Sequence, residues 1–352
     1  MMHPLAALTG RFTAAGFFVS RPVASRRRRL AAGMLAVMAT FTTKEIFAGE
    51  TEADIDPRKW INRMHVAVEN LNYQGTLVRM RGDEVENFRV YHRVTDGDIS
   101  ERLVGMDGDG FEVIRQGNET LCIFPAQQSV VVEKQSSNLK SPIAAGIPAY
   151  DEVMEESYTF SIDGDDRVAG RQCKTMIIKA VDEYRYGYRI WLDGRTGMPL
   201  KSQLRTADDS ELLEEVMFAD ILLIDEVPAS AIVSAHDTAD WKKVMPDDSQ
   251  RNKPTDMPGW KASELPPGFE LKNVRYEYMM GEEEPRLHLV YMDSLASVSV
   301  FIDRPQEGQA EGPDMMGATN AYTVMNDGWS VTAVGQVPQV TVELIARSMT
   351  QE

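Results

Sequence analysis

The chain has 352 residues, of which 37 are Lys or Arg and 54 are Asp or Glu, and its formal net charge at pH 7 is −17. Because so acidic a protein repels nucleic acid and anionic lipid headgroups at long range, the composition excludes nucleic-acid binding and is compatible with a basic partner segment. Solubility of an exported protein is the simpler explanation of the same charge. The length predicts two domains.

Residues 1–48 are predicted to be a signal peptide. Four arginines at 26–29 precede an apolar run, 30–41, which has the length of a signal-peptide core and is too short to span a bilayer. Ala48 supplies a small residue at a plausible cleavage point. A twin-arginine signal and a retained membrane anchor are the alternatives. Residues 1–49 hold seven basic residues and one acid, so the rest of the chain has a net charge of −23.

Residues 50–228 are predicted to form the first domain, a helix followed by a meander of short antiparallel strands. Asp56 is placed to cap the helix, and Pro57 suits its first turn. The apolar residues of this helix recur at helical spacing and predict one face packed on a sheet. The predicted strands are 73–80, 87–94, 99–104, 112–116, 120–124, 129–134, 158–163, 171–180, 186–192, 199–206 and 212–224.

The segment 187–204 carries a hairpin signal. Large apolar and polar residues alternate along it, and a turn is predicted at Asp193 and Gly194. Alternation places Tyr188, Ile190 and Leu192 on one face of the strand and the intervening residues on the other.

Residues 229–258 are predicted to be a linker, because strand patterning stops and Asp, Pro, Lys and Ser accumulate. Residues 259–352 are predicted to form a small second domain with a final helix over 338–348. Its predicted strands are 270–278, 286–292, 297–303, 320–326 and 329–335.

Motifs for catalysis, metals and cofactors are missing from the sequence. There is no Gly-Xaa-Ser-Xaa-Gly elbow, no phosphate-binding loop and no dinucleotide fingerprint. The histidines after the predicted signal peptide lie at no metal-ligand spacing from another His or a Cys. We therefore expect no catalytic residue, no metal and no cofactor, and a protein that is not an enzyme.

The positive signals are apolar. A curved sheet with one helix can leave a concave apolar face that suits acyl chains or hydrophobic peptide, although ordinary core packing is the alternative for each residue. The expected wall residues are Leu77, Val78, Val90, Ile114, Ile123, Val131, Ile177, Ile190 and Leu204.

Two cysteines, Cys122 and Cys173, lie in strand-like segments. In an oxidising compartment they could form a disulfide, and two buried thiols are the alternative. There is no Cys-Xaa-Xaa-Cys motif, so redox catalysis is not expected.

Several segments together resemble the MucB/RseB family, and they run in order through both predicted domains. The segments are 73–78, 187–204, Trp260 with 265–269, 288–291, 295–302, 317–322 and 334–338.

The resemblance implies a periplasmic protein whose fold class is α+β and mostly antiparallel β. The N-terminal domain would be an open half-barrel similar to lipoprotein carriers, with a helix across its concavity, beside a smaller α+β C-terminal domain. Family members bind the periplasmic segment of a membrane anti-sigma factor of the MucA/RseA type and shield it from regulated proteolysis. Lipopolysaccharide or acylated lipoprotein would release the partner, because a ligand can displace it as far as its differential affinity permits.

The resemblance places most partner contacts on the C-terminal domain, and we expect aromatic residues of its strands to be the anchors. Core packing is the alternative for each of them, and for Phe301 it is the favoured one. A lipoprotein or acyl-chain carrier is the alternative function, and a homo-oligomer stays open. The expected anchors are Tyr276, Tyr278, Tyr291, Phe301 and Tyr322.

Overall fold

A computed structural model describes most of the chain after the predicted signal peptide, and the described residues belong to one compact unit. The predicted signal peptide and Tyr278 lie outside the described residues. The described residues are 56–134, 143, 147–244, 259–277, 285–306 and 308–351.

The first element is helix α1 (Pro57–Asn70). Its predicted cap is confirmed, since the Asp56 carboxylate accepts a hydrogen bond from the Arg58 amide at 3.0 Å. The predicted apolar stripe is confirmed at Trp60, Met64 and Ala67, all of which are buried. The helix therefore packs on a sheet through one face.

A sheet of twelve strands follows α1 and is antiparallel at all but one pairing. Its strand order is β12-β6-β5-β4-β3-β2-β1-β11-β10-β9-β8-β7, so β12 and β7 are its edges. The strands are β1 (Tyr73–Arg81), β2 (Glu84–Thr95), β3 (Asp98–Gly105), β4 (Phe111–Gln116), β5 (Glu119–Phe124), β6 (Ser129–Lys134), β7 (Tyr158–Val168), β8 (Arg171–Ala180), β9 (Gly187–Asp193), β10 (Pro199–Arg205), β11 (Leu212–Leu223) and β12 (Lys242–Val244).

The predicted hairpin over 187–204 is confirmed as β9 and β10, with its turn beginning at Asp193. One carboxylate oxygen of Asp193 accepts from the amides of Arg195 at 3.1 Å and Thr196 at 2.8 Å. The other accepts from Arg171 Nε at 2.6 Å. This carboxylate therefore ties the turn to β8.

Residues 224–244 pack on the larger sheet, although we expected a linker from residue 229 onward. Val227 and Ile232 are buried there, and Trp241 packs against the same apolar cluster. β12 then adds to the edge of the sheet by pairing in parallel with β6. Apolar anchors within a polar segment hold this part of the chain to the sheet, and residues 245–258 lie outside the described residues.

The smaller sheet has six strands in the order β14-β15-β16-β19-β18-β17. Helix α2 (Gln339–Ser348) packs on one of its faces, and a two-stranded sheet joins both ends of this part of the chain. The strands are β13 (Trp260–Ala262), β14 (Glu270–Glu277), β15 (Arg286–Met292), β16 (Ser297–Asp303), β17 (Gly312–Met316), β18 (Thr319–Asn326), β19 (Trp329–Gly335) and β20 (Met349–Gln351).

The architecture is a mostly antiparallel α+β fold of two domains, as predicted. We call residues 56–244 the N-terminal domain and residues 259–351 the C-terminal domain. Each has its own buried cluster beneath its helix, as a domain of two packed layers requires.

Candidate partner-binding site

The smaller sheet has one face covered by α2 and one open face, and the strand register decides where each predicted anchor lies. Tyr276, Tyr291 and Tyr322 belong to or pack against the core cluster on the covered face. Phe301 pairs with a residue of β15 and one of β19 on the opposite, open face. Tyr278 lies outside the described residues. The predicted anchors therefore do not form one surface.

Tyr291 and Tyr322 are core residues. Tyr291 is 2% exposed, and its hydroxyl accepts a hydrogen bond from the Ala262 amide at 3.2 Å. Tyr322 is 7% exposed and lies beneath the Arg347 guanidinium, which is 4.9 Å from its ring centroid and donates to its hydroxyl. Truncation of either ring would leave a cavity and lower stability.

Phe301, for which core packing was favoured, is half-buried on the open face. The His288 ring lies 4.3 Å from its centroid, and the Arg286 guanidinium lies 4.2 Å from it. Stacking and cation–π attraction hold these groups over the ring. Of the predicted anchors within the described residues, Phe301 is the one on the open face.

A carboxylate anchors the charged groups around Phe301. Glu277 accepts from Arg286 at 3.0 Å and lies 2.8 Å from both His288 Nδ1 and Arg275 Nε. Burial alone would raise the pKa of Glu277, but the His288 hydrogen bond and the charges of His288, Arg286 and Arg275 outweigh it and lower the pKa to about 2. The open face therefore presents an aromatic ring with the Arg286 guanidinium over it, and Glu277 binds both this guanidinium and that of Arg275.

The nine residues expected to form one apolar wall are divided between the two faces of the larger sheet. Cross-strand partners share a face, so the register assigns each side chain. The face covered by α1 holds Leu77, Val90, Val131, Ile190 and Leu204. The opposite face holds Val78, Ile114, Ile123 and Ile177. The nine residues therefore do not form the single wall that we expected, because side chains alternate between the two faces along each strand and the strand pairing decides which face each one occupies.

Helix α1 occupies much of the face where the concavity was expected. Trp60 and Met64 belong to one buried cluster with Ile190, and Ala67 belongs to a second with Leu77. On the opposite face, Ile114 and Ile123 pack beneath residues of the 224–244 segment. Both faces are therefore covered at these positions.

The proposed disulfide is not formed. Cys122 lies on β5 and Cys173 on β8, and seven strands separate these two in the sheet. Both side chains are buried, and Cys173 Sγ donates to the Arg171 carbonyl oxygen at 3.4 Å. Burial raises the pKa of the Cys173 thiol to about 11, which keeps it protonated and unreactive.

Sequence reasoning assigned no role to Arg185, whose side chain is completely buried between the two domains. Arginine is almost never fully buried unless its charge is paired. One sequence feature could have indicated that Arg185 is buried: it lies between Tyr184 and Tyr186, directly before a strand that is predicted to be apolar on one face. Its partner Asp293 precedes the segment 295–302 that carries part of the family resemblance.

Within the described part of the chain, no group of His, Cys, Asp or Glu side chains is arranged to hold a metal ion. Over the same residues, neither helix has the length and apolar character needed to traverse a bilayer.

Two family models match the chain. The model described as the MucB/RseB N-terminal domain matches residues 56–236, and the model described as the MucB/RseB C-terminal domain matches residues 254–350.

Individual proteins are similar over nearly the same span. The sigma factor AlgU regulatory protein MucB of Pseudomonas aeruginosa is 31% identical over 304 residues, which cover 84% of this chain and 92% of MucB. The sigma-E factor regulatory protein RseB of Haemophilus influenzae is 26% identical over 301 residues, covering 84% of this chain and 91% of RseB. A chain in the structure of the Pseudomonas aeruginosa MucA/MucB complex superposes with a TM-score of 0.66 at 29% identity, covering 84% of this chain and 99% of that chain.

Proposed function

The chain belongs to the MucB/RseB family, and on that premise we propose that it is a periplasmic negative regulator of an extracytoplasmic sigma factor. It binds the periplasmic segment of a MucA/RseA-type membrane anti-sigma factor, shields that segment from proteolysis and catalyses no reaction. The likeness to a chain of the MucA/MucB complex, which runs through both domains, is the observation that carries the proposal.

The open face of the smaller sheet around Phe301 forms part of the partner-binding surface, and the rest lies on the N-terminal domain. This face combines a half-buried ring with the guanidinium groups of Arg275 and Arg286, and aromatic and Arg side chains dominate binding energy at interfaces. The other predicted anchors within the described residues do not contact the partner directly, because Tyr291 and Tyr322 are buried in the core and Tyr276 packs against it.

Release by an acylated ligand follows from linkage between two binding events. A lipopolysaccharide or lipoprotein acyl chain displaces the partner only if it binds more tightly to a domain arrangement that the partner disfavours. α1 covers the apolar face of the larger sheet, so an acyl chain must compete with the contacts of Trp60 and Met64 to reach it.

The test measures binding of the purified protein to the periplasmic segment of a MucA-type anti-sigma factor. We expect saturable binding by calorimetry and protection of the segment from added protease. Phe301→Ala should weaken binding at least about tenfold, which corresponds to about 1.4 kcal/mol. Phe160→Ala is the matched control, because Phe160 is a half-buried ring of the same size in the larger sheet.

Absence of binding by the wild-type protein would contradict the proposed function itself. Wild-type affinity in Phe301→Ala would remove the open face from the interface while leaving the function intact. Added lipopolysaccharide should lower the bound fraction, and an unchanged fraction would remove the lipid signal from the proposal.

A further inference from the structure

Arg185 lies in the loop between β8 and β9 of the N-terminal domain, and all three of its guanidinium nitrogens donate hydrogen bonds. Nη1 donates to Asp182 in the same loop. Nε donates to the Asp293 carboxylate at 2.6 Å, and Nη2 donates to the Pro267 carbonyl oxygen. Two of the three bonds therefore cross to the C-terminal domain, where they end on different loops.

Asp293 is held as firmly as Arg185, since its side chain is 1% exposed. One carboxylate oxygen accepts from the amides of Leu295 at 2.7 Å and Ala296 at 2.5 Å, which fixes the β15–β16 loop. The other oxygen accepts from Arg185 and from the Tyr158 hydroxyl at 3.3 Å. Burial and the Asp293 charge raise the pKa of Tyr158, so its hydroxyl remains a donor.

Close backbone approach explains one glycine at this junction. Gly268 has a φ of +78°, and a Cβ there would lie 3.0 Å from Ser157 Oγ and 3.5 Å from Arg185 Nη2. The left-handed backbone and the tight contact both favour glycine. The Arg185 guanidinium also lies near one aromatic ring of each domain. The Phe269 ring of the C-terminal domain is 5.2 Å from it, and the Tyr158 ring of the N-terminal domain is 5.8 Å from it.

The residues on either side of Arg185 in the chain make further contacts between the same two domains. Asn320 Nδ2 donates to the Tyr186 hydroxyl at 3.0 Å, and the Thr341 hydroxyl donates to the Tyr184 carbonyl oxygen at 2.7 Å. Ala318 packs in the buried cluster of the N-terminal domain. Segments 265–269, 295–302 and 317–322, which the sequence singled out, therefore converge on one place.

The energetics of such a site favour specificity over stability. Removing two charges from water is costly, and apolar residues of similar volume often stabilise a protein as well as a buried ion pair does. What the guanidinium supplies is a rigid planar fork with donors in fixed directions, which a Lys ammonium lacks. The bond to Asp182 holds the fork in place within the N-terminal domain, and the bonds to Asp293 and Pro267 are then satisfied together at one relative orientation of the two domains.

We propose that Arg185 is a positioning residue for partner binding: its buried fork fixes the orientation of the C-terminal domain on the N-terminal domain, and a polypeptide that contacts both domains binds only that orientation. This inference rests on the proposed function for its partner. The orientation itself can be measured without any partner, so the two fail separately.

The test places spin labels on Val66→Cys in α1 and Met315→Cys in β17, and measures the distance distribution between them in the whole protein. These positions are 58% and 71% exposed, whereas Cys122 and Cys173 are buried and poorly reached by the label. Affinity for the anti-sigma periplasmic segment is measured on the same variants without labels.

We expect one narrow distance distribution in the wild-type background. Arg185→Met should broaden it and weaken partner binding at least about tenfold. Arg102→Met is the matched control, since Arg102 pairs with Glu112 at 2.9 Å with side chains 12% and 3% exposed, but within the N-terminal domain. This control should lower thermal stability and leave the distance distribution and the affinity unchanged.

Because Arg185→Met leaves the Asp293 carboxylate buried without its cation, a double variant with Asp293→Asn separates positioning from folding. The double variant should regain the thermal midpoint while its distance distribution stays broad. A narrow distribution in either variant would overturn the proposal, as would wild-type affinity in a variant with a broad distribution. A wild-type protein that binds no partner would refute the proposed function, and the distances would still test the orientation.

Discussion

At the scale of single residues, the sequence predicts the strands that carry the aromatic side chains but does not predict which of these side chains are exposed. Phe301 and Tyr322 both lie on strands that were predicted, yet one is on the open face and the other is in the core. The difference depends on which side of the sheet α2 covers, and that is a property of the fold beyond the strand's own pattern. Because Tyr322 belongs to the core cluster, Tyr322→Ala should destabilise the protein, and a loss of partner binding in that variant would not place Tyr322 in the interface.

Acid should weaken the open face of the smaller sheet through Glu277. The folded chain lowers the pKa of this group from 4.5 to about 2, so the ionised form is favoured by folding. Its contribution to stability is complete above a pH of about 4.5 and is lost as the pH falls toward about 2. Glu277→Gln should therefore destabilise the protein at about pH 6 and have a smaller effect at about pH 3, where part of this contribution is already lost.

Urea unfolding at both pH values measures this difference, since subtracting the variant from the wild type cancels the other carboxylates. Glu84→Gln is the control, because Glu84 is an exposed glutamate at the start of a hairpin strand. A destabilisation by Glu277→Gln that stays equal at the two pH values would show that the folded chain does not favour the ionised form.

At the scale of elements, the longer strands were predictable and the short ones were not. Strands β6, β8, β15, β16 and β19 have the predicted bounds. Strands β12, β13, β17 and β20 have three to five residues and too little alternation to be recognised. β12 and β13 form by pairing with β6 and β20. These partners lie far away in the sequence, so no local pattern predicts the two strands.

The turn of the β9–β10 hairpin depends on one buried carboxylate. Asp193 is 4% exposed and accepts bonds from Arg171 and from the turn amides of Arg195 and Thr196. Burial would raise the pKa of Asp193, but the bonds from Arg171 and Thr196 outweigh it and lower the pKa. Asp193→Ala leaves a partly buried guanidinium and two turn amides without their acceptor, and should cost about 2 kcal/mol.

Chemical denaturation measures this cost from the shift in the unfolding midpoint at constant slope. Asp109→Ala tests an exposed aspartate in another turn and should change stability by no more than about 0.5 kcal/mol. Equal effects of the two substitutions would show that the carboxylate of Asp193 does not hold the hairpin.

At the scale of the whole molecule, the sequence predicted two antiparallel domains and left the strand order open. Local patterns define each hairpin, but the pairing of β1 with β11 joins residues more than a hundred positions apart and makes twelve strands one sheet. Arg185 belongs to the same class of feature, because its partners Pro267 and Asp293 come from distant loops. Long-range pairings of this kind are set by the packing of complete elements, which a single sequence does not display.

The charge of the whole molecule predicts how its stability responds to salt. A net charge of −17 produces repulsion across the full width of the protein, while the partly buried ion pairs, such as Arg171–Asp193 at 2.6 Å, are short. Raising ionic strength from about 0.01 M to about 0.15 M shortens the Debye length from about 30 Å to about 8 Å. Long-range repulsion is therefore screened and the short pairs are largely spared, so the thermal midpoint should rise.

Thermal unfolding in NaCl, compared with an equal osmolality of an uncharged solute, measures the effect of screening alone. A midpoint that falls with NaCl would mean that the half-exposed pairs, such as Arg79–Glu86 with side chains 27% and 40% exposed, contribute more than the self-repulsion costs. The expected rise would instead show that the acidic excess destabilises the folded chain, so that its contribution lies in solubility or in attraction of a basic segment.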